Sequence, residues 1–372
     1  MSDQKLFTSV QVGKQELKNR LAMAPMTRNR AHNEAKAPIE LHRTYYSQRA
    51  SAGLIISEGA QVSPQGMGYI DTAGIHSPEQ VEGWKKVLRD VHQKEGVMYC
   101  QLWHCGRVSH TCFQDGGAPV SSSSKNAGGQ SFTPNGFEPT SDPRALSTGE
   151  VQDVIDDFRA AAGNAIEAGF DGVQVHGANG YLVEQFLHDS INDRTDRYGG
   201  SIENRARFLF ELLDAVIEEV GTERTSLRLS PSNLMNTEND SQSKALYEYI
   251  IRKLNADYEL SFLELVEPLA DLDEHPQLAR DVLEYYGPFY DGVLMTNGGY
   301  DRASALSVVA EEKAEMVSFA RLFLANPDLP ERFERNAPLN EPDQQTFYGG
   351  GAKGYTDYPF LEEAGEVEVE AG

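Results

Sequence analysis

Eight short apolar runs rich in β-branched residues, each followed by a stretch of helical period, recur along this 372-residue chain and restrict its fold more than any other feature. Parallel strands cannot be joined by a tight turn and need a crossover, so strand–helix alternation is the mark of βα units around a parallel sheet. The strand candidates are Leu21–Met26, Gly53–Gly59, Val97–Trp103, Gly172–Gly177, Thr225–Pro231, Leu260–Glu267, Asp291–Thr296 and Met316–Phe323, the last two resting partly on apolar content alone. The helix candidates are Pro38–Ala50, Pro78–Glu95, Thr148–Ala168, Ile202–Val220, Ser241–Asn255, Pro276–Tyr286, Arg302–Lys313 and Pro327–Arg335. Several carry end signals: Ser147 or Thr148 with Glu150 opens the third, Ser201 opens the fourth, and Gly221 stops it.

Eight strands with eight helices predict an α/β fold of the (β/α)8 TIM-barrel class, whereas doubly wound sheets have fewer strands and a Gly-rich first turn. Neither GxGxxG nor GxxxxGK[ST] occurs, and Gly349-Gly350-Gly351-Ala352-Lys353 has the wrong spacing for a phosphate loop. The chain is read as one domain, 1–372. Its excess over the roughly 250 residues of a typical barrel falls in two places. Residues 1–20 read as a cap, with a hairpin across Leu6–Arg20 that turns at Gly13 and plugs the barrel floor. Residues 104–147, rich in Gly, Ser, Pro and Asn, form a long excursion after the third strand, and so long a loop in a compact domain is usually functional. It is the candidate lid. The acidic tail, 361–372, is expected to fray.

In a barrel the active site gathers at the carboxyl ends of the strands. Alternation puts Tyr99, Gln101 and Trp103 on one face of the third strand and Cys100 and Leu102 on the other. Singly, Gln101 and Trp103 are ordinary packing residues; together, at the end of a strand, an amide and an indole suit a planar heterocycle. The fourth strand ends in Val175-His176-Gly177-Ala178-Asn179-Gly180-Tyr181, where the glycines permit a tight path that gathers three polar side chains. His176 and Asn179 offer neutral N–H donors for a carbonyl oxygen, and Tyr181 is a weak acid able to supply a proton. A lone histidine at a strand end is more often structural, but three proton-bearing groups within six residues favour chemistry. Thr296-Asn297-Gly298-Gly299-Tyr300 and Ala320-Arg321 follow the seventh and eighth strands, the usual phosphate site of this fold. Arg228, inside the fifth strand, needs an anionic or carbonyl-rich partner, because an unpaired buried guanidinium is costly.

These segments resemble the Old Yellow Enzyme family of FMN-dependent ene-reductases, particularly its bacterial members akin to N-ethylmaleimide and pentaerythritol tetranitrate reductases. The resemblance covers nearly the whole chain. It is carried by LAMAPMTR at Leu21–Arg28, by Gly53–Gln61, QLWHCGR at Gln101–Arg107, Phe170–Asp189, RTDRYGGSIENRAR at Arg194–Arg207, Ala325–Leu329 and Phe347–Gly351. The resemblance implies FMN as cofactor and NADPH or NADH as reductant. It places Pro25, Met26, Thr27, Gly59, Gln101 and Arg228 around the flavin ring, with Gly298, Gly299, Ala320 and Arg321 at its phosphate. His176 and Asn179 would bind the substrate carbonyl, Tyr181 would protonate the α-carbon after hydride from flavin N5 reaches the β-carbon, and Tyr69, Trp103 and Tyr348 would line the substrate pocket. Small activated alkenes are the implied substrates. Reduction of nitrate esters or nitroaromatics at the same site is the alternative, and a flavin-binding module without alkene chemistry is a more distant one. The chain departs from the family at Gln174, where Glu is expected, at Gly177 and Ala320, and at Met235 and Asn236 on a pocket wall.

Charge bears on partners. With 33 Lys and Arg against 57 Asp and Glu the formal net charge is −24, which repels nucleic acid and anionic membranes. No run approaches the length of a membrane span, and the start, Met1-Ser2-Asp3-Gln4-Lys5, lacks the layout of a signal peptide, so a cytoplasmic protein, monomer or homodimer, is expected. The three cysteines, Cys100, Cys105 and Cys112, cannot all pair, and with His104 and His110 between them they show no metal-ligand spacing, so no metal is expected. The acidic surface reads either as ordinary solvation or as adaptation to high salt. If the second holds, the melting temperature will rise between low and molar salt as counterions screen self-repulsion; an unchanged or lower value leaves ordinary solvation.

Overall fold

The computed structural model describes residues 2–237 and 240–361. Eight parallel strands close into a barrel: β1 (Leu21–Met23), β2 (Leu54–Gln61), β3 (Met98–Trp103), β4 (Gly172–Gly177), β5 (Thr225–Leu229), β6 (Phe262–Val266), β7 (Leu294–Asn297) and β8 (Met316–Phe319). Each pairs with the next, and β8 returns to β1 through Val317 opposite Leu21 and Phe319 opposite Met23. The outer helices are α1 (Glu40–Gln48), α2 (Pro78–His92), α3 (Thr148–Ala168), α4 (Ile202–Val220), α5 (Ser243–Asp257), α6 (Val282–Tyr286), α7 (Arg302–Ala310) and α8 (Leu329–Arg335). The end signals act as read: Ser147 caps α3 through the Glu150 N–H, with Thr148 as the first helical residue, and Ser201 caps α4.

Period-two alternation gives each strand two buried faces. Outward residues such as Cys100, Leu102, Val173, Val175, Leu227 and Leu263 pack with the helices in one large core. Inward residues at the amino-terminal end, namely Ala22, Leu54, Ile56, Tyr99, Phe262, Met295 and Met316, form a separate floor. The hairpin of Val10–Val12 and Gln15–Leu17 closes that floor from below with Val12 and Leu17, both buried. Its turn needs glycine: Gly13 sits at φ +52°, and a Cβ there would lie 2.0 Å from the backbone oxygen of Glu223.

Several boundaries differ from the sequence reading, each for a local reason. The first strand stops at Met23 rather than Met26, and the fifth at Leu229 rather than Pro231, ahead of prolines that cannot donate to a ladder. The eighth run was too long: β8 ends at Phe319, and Arg321–Ala325 is helical, burying Phe323 and Leu324 on one turn. Residues 276–281 are not helical, because α6 begins only where Asp281 caps it through the Glu284 N–H. A short helix, Leu182–Leu187, was not anticipated. The excursion after β3 has structure of its own: Gln130–Thr133 and Gly136–Pro139 pair as a hairpin, and Val120–Ser121 runs beside Arg144–Ala145. Of the tail predicted to fray, residues 362–372 lie outside the described residues.

A segment near the carboxyl end crosses the barrel mouth, held by buried Arg28 and Arg30, while buried Arg49 holds the helical turn after β8. Arg28 donates to the carbonyl oxygens of Phe347 (2.9 Å) and Gly354 (2.9 Å), Arg30 to those of Gly351 (3.0 Å) and Thr346 (3.0 Å), and Arg49 to those of Phe323 (2.8 Å) and Leu324 (2.7 Å). Tyr45 and Tyr355 stack at 4.0 Å, and Arg49 and Arg30 lie over their rings. Carbonyls and aromatic faces thus replace water around charges that would otherwise be costly to bury. The plug can be tested apart from the mouth: Leu17→Ala leaves a cavity in the floor and should cost about 2–5 kcal/mol, seen as a lower apparent melting temperature with ligand binding at the opposite end unchanged.

Candidate active site

At the carboxyl ends of the strands lies a cavity of about 460 Å³. Pro25, Met26 and Thr27 after β1, Tyr69 after β2, Asn179 and Tyr181 after β4, Ala320 and Arg321 after β8, and Tyr348 on the crossing segment all line it. Gln101, Trp103, His176 and Arg228 are buried inside the barrel and do not line it, nor do Gly59, Gly298 and Gly299.

The turn after β4 is built by hydrogen bonds to its backbone. Asn179 adopts a left-handed φ of +58°, its N–H donating to Ser230 Oγ (2.8 Å). Glu184, fully buried on the short helix Leu182–Leu187, accepts from the Gly180 N–H and from Ser230 Oγ and the Tyr247 hydroxyl, both at 2.8 Å. Gln185 donates to the Gly180 carbonyl (2.8 Å), so adjacent side chains of one helix hold Gly180 at both its polar groups. The Asn179 carboxamide makes no hydrogen bond among the described residues and faces the cavity.

Aromatic packing fixes the rest. Trp103 stacks on Tyr69 (ring centroids 5.7 Å apart) and meets Tyr181 edge-on (5.0 Å), while His176 meets Tyr181 edge-on at 5.2 Å. The Tyr69 and Tyr181 hydroxyls are 3.3 Å apart. Gly59 leaves room for this cluster, since a Cβ there would lie 2.6 Å from the Trp103 ring. Burial, then the charge of Arg228, pushes the His176 imidazole down to about 3, so it is neutral at working pH. Burial, then Tyr69 and Cys105, holds the Tyr181 phenol well above its ordinary value, so it keeps its proton. A neutral N–H donor and a protonated phenol beside an open carboxamide can bind a carbonyl oxygen and deliver a proton close to it.

Beneath the cavity the barrel interior is polar. Gln101 Nε2 donates to Gln174 Oε1 (2.9 Å), and Gln174 Nε2 donates to Glu264 Oε2 (2.8 Å). Ser318 Oγ donates to Glu264 Oε1 (2.6 Å), Arg228 Nη1 pairs with the same oxygen, and Arg228 Nη2 donates to Asn297 Oδ1 (2.9 Å). Arg228 Nε, Trp103 Nε1 and His176 Nδ1 are buried without hydrogen-bond partners among the described residues. Leaving a buried polar group unmade costs about 1–3 kcal/mol, so Arg228 Nε, in the same bonded layer as Gln101, fits a planar ligand edged with acceptors, as the FMN implied by the resemblance would be, and His176 and Trp103 leave donors for a further ligand. The phosphate end fits as well. Arg321 is exposed, with no ion-pair or hydrogen-bond partner among the described residues, and Gly298 and Gly299 turn at φ +117° and +74°.

Sequence reasoning missed Glu264, Glu184 and Gln185. Glu264 was within reach: it stands two residues after Phe262 on a strand whose inward face alternation defines, and a charge there poses the question already raised by Arg228. No comparable signal marks Glu184. The excursion after β3 was located, but not the residues by which it meets the cavity. Phe132 and Phe137 line the cavity and stack at 4.8 Å, and Phe137 meets Tyr348 at 6.4 Å. The Ile70 N–H donates to the Phe132 carbonyl (2.7 Å), tying the lid hairpin to the Tyr69 loop.

Comparison with known proteins gives concordant matches. Residues 5–340 match the NADH:flavin oxidoreductase / NADH oxidase family. The chain is 47% identical over 366 residues to 12-oxophytodienoate reductase 1 of Oryza sativa subsp. japonica, covering 97% of this chain and 94% of that one. Morphinone reductase superposes with a TM-score of 0.91 at 44% identity, covering 96% of this chain and 97% of that one, and its complex with tetrahydroNAD with a TM-score of 0.89. The old yellow enzyme homologue from Zymomonas mobilis gives a TM-score of 0.91 at 39% identity, covering 96% of this chain and all of that one.

Burial of histidines sets an acid limit on the fold. His176, His104 and His42 are each pushed down to about 3, chiefly by burial. From their ordinary 6.5 down to about 3 the unfolded chain binds protons that the native state refuses, so stability falls as pH falls through that window. Glu58, pushed up to about 7 by burial, opposes them between pH 7 and 4.5, where the native state holds the extra proton. Below 4.5 that opposition ends, while Glu150 and Asp196, held down to about 2 chiefly by Arg144 and Arg194, add to the loss. The apparent melting temperature should therefore drop gently from pH 6.5 to 4.5 and steeply below; a flat profile would contradict this assignment.

Proposed function

Because the chain belongs to the NADH:flavin oxidoreductase / NADH oxidase family, and so is an FMN oxidoreductase reduced by a nicotinamide, we infer that it reduces the C=C bond of α,β-unsaturated carbonyl compounds. The observation that carries the reading is that the open Asn179 carboxamide and the protonated Tyr181 line the cavity while neutral His176, buried inside the barrel, meets the Tyr181 ring edge-on at 5.2 Å. The relatives' names, reductases of an oxo-dienoate and of morphinone, support it.

Pro25, Met26, Thr27, Gly59, Gln101 and Arg228 hold the ring of FMN in this reading, and Gly298, Gly299, Ala320 and Arg321 its phosphate. Bound there, FMN would supply the hydride chemistry that links the nicotinamide to the β-carbon of the alkene. The chain's own residues do the rest. His176 and Asn179 donate to the carbonyl oxygen and stabilise the negative charge that develops there. Tyr181 gives its proton to the α-carbon, completing addition of H₂ across the double bond, and Tyr69, 3.3 Å away, shares the hydroxyl pair. Trp103, Tyr69 and Tyr348 wall the substrate. Need for a separate dinucleotide domain disappears if the nicotinamide reaches the same open face of the cofactor as the alkene. We read the enzyme as cytoplasmic, acting on small alkenes as a monomer or homodimer.

The test is anaerobic. Protein loaded with FMN should bleach with NADPH or NADH and recover its absorbance with 2-cyclohexenone or N-ethylmaleimide. Tyr181→Phe should slow recovery by roughly 10²–10⁴-fold, the usual span for a general acid, while the nicotinamide half-reaction stays within a few-fold. Equal loss in both halves removes Tyr181 from the mechanism, and reduced protein that no enone or maleimide reoxidises removes the reading.

A further inference from the structure

One carboxylate lies at the centre of the barrel and no step above uses it. Glu264 on β6 is fully buried and collects donors from three other strands: Gln174 on β4, Arg228 on β5 and Ser318 on β8. Its two effects on the layer above follow from chemistry.

The first is polarity. Paired with a guanidinium, the carboxylate only accepts hydrogen bonds, so Gln174 must turn its NH₂ toward it and its carbonyl toward Gln101. Gln101 then spends one N–H on Gln174 and is left with its carbonyl oxygen and one N–H for a ligand. The second is charge. Arg228 is held beside Glu264 and has a buried Nε with no hydrogen-bond partner among the described residues, so a ligand at that atom meets a compensated ion pair and not a bare cation. In an interior of low effective dielectric the difference between those two is large.

We propose that Glu264 is a positioning and charge-balancing residue that sets how strongly this site prefers reduced over oxidised FMN. The inference rests on the reading that the pyrimidine edge of FMN meets Gln101 and Arg228. Reduction makes that edge more negative, so the bare guanidinium left by removing Glu264 would favour the reduced cofactor.

The experiment measures the reduction potential of the FMN-loaded protein against a reference dye, together with the dissociation constant of oxidised FMN. In Glu264→Gln the ratio of affinities, reduced over oxidised, should rise at least tenfold, about 30 mV upward for a two-electron couple. The exchanged pair Gln174→Glu with Glu264→Gln moves the carboxylate along the same hydrogen bond and keeps both the charge and the orientation of Gln101; its ratio should return to within threefold of native. A merely structural role would not produce that return. A loaded Glu264→Gln protein within threefold of native overturns the proposal. If that single variant cannot be loaded, the exchanged pair decides alone: a near-native ratio supports the proposal, while a tenfold change or failure to load overturns it. Failure of the native chain to bind FMN would strike the functional reading beneath and is seen before any variant is made.

Discussion

Closing eight parallel strands on themselves leaves every second side chain no destination but the barrel interior, and the molecule is organised by what it places there. The lowest inward layer is apolar and sealed by Val12 and Leu17 of the hairpin. The next is polar, with Gln101, Gln174, Arg228, Glu264, Asn297 and Ser318 bonded to one another. Above it the barrel opens to the cavity. Desolvating an ion pair such as Arg228–Glu264 costs as much as its mutual attraction returns, and apolar residues of similar size would serve the fold at least as well. Its position between a sealed floor and an open cavity makes sense as a demand of the ligand site.

The groups that face the cavity come from loops, where position is harder to hold than on a strand. The structure meets this with buried polar anchors. Glu184 and Gln185 fix the peptide at Gly180, and Arg28 and Arg30 fix the segment carrying Tyr348. The RTDRYGGSIENR motif has a similar task. Arg194 donates to the Leu146 carbonyl at the end of the lid excursion, and Arg205 pairs with Asp240 while donating to the Leu187 carbonyl (2.7 Å). Residues that look like a signature of chemistry therefore hold in place the end of the excursion after β3 and the short helix that follows the β4 turn.

What could be read from the sequence follows the range of the forces involved. Strand count follows from short apolar runs, the barrel from their number, the inward face of β3 from period-two alternation and the caps at Ser147 and Ser201 from side chains beside the helix start, all of them local signals. His176, Asn179 and Tyr181 could be picked out together because all three lie within six residues; the structure puts Asn179 and Tyr181 on the cavity and His176 against the Tyr181 ring, inside the barrel. Boundaries at Met23, Phe319 and Val282 were misplaced because apolar content does not say whether a residue buries itself on a strand or on a helical turn. Glu264 escaped because its partners lie 36 to 90 residues away in the chain. It also gives meaning to the departure noted at Gln174: an amide there has a carboxylate to donate to, so the carboxylate expected on β4 stands two strands away on β6.

Charge has to be read on the same local scale. By its net charge of −24 alone, the chain would repel a cofactor that carries a phosphate. Yet surface charges beyond about 8 Å are largely screened at physiological ionic strength, whereas charges at the site act over a few ångströms through a medium that screens far less. Among the titratable side chains that line the cavity, Arg28 and Arg321 are cationic and none is a carboxylate. Arg28 is spent on carbonyl oxygens, so Arg321 is the cation left to face an anion. The acidic exterior acts at a distance, and Arg321, with no ion-pair or hydrogen-bond partner among the described residues, is the guanidinium available at the cavity.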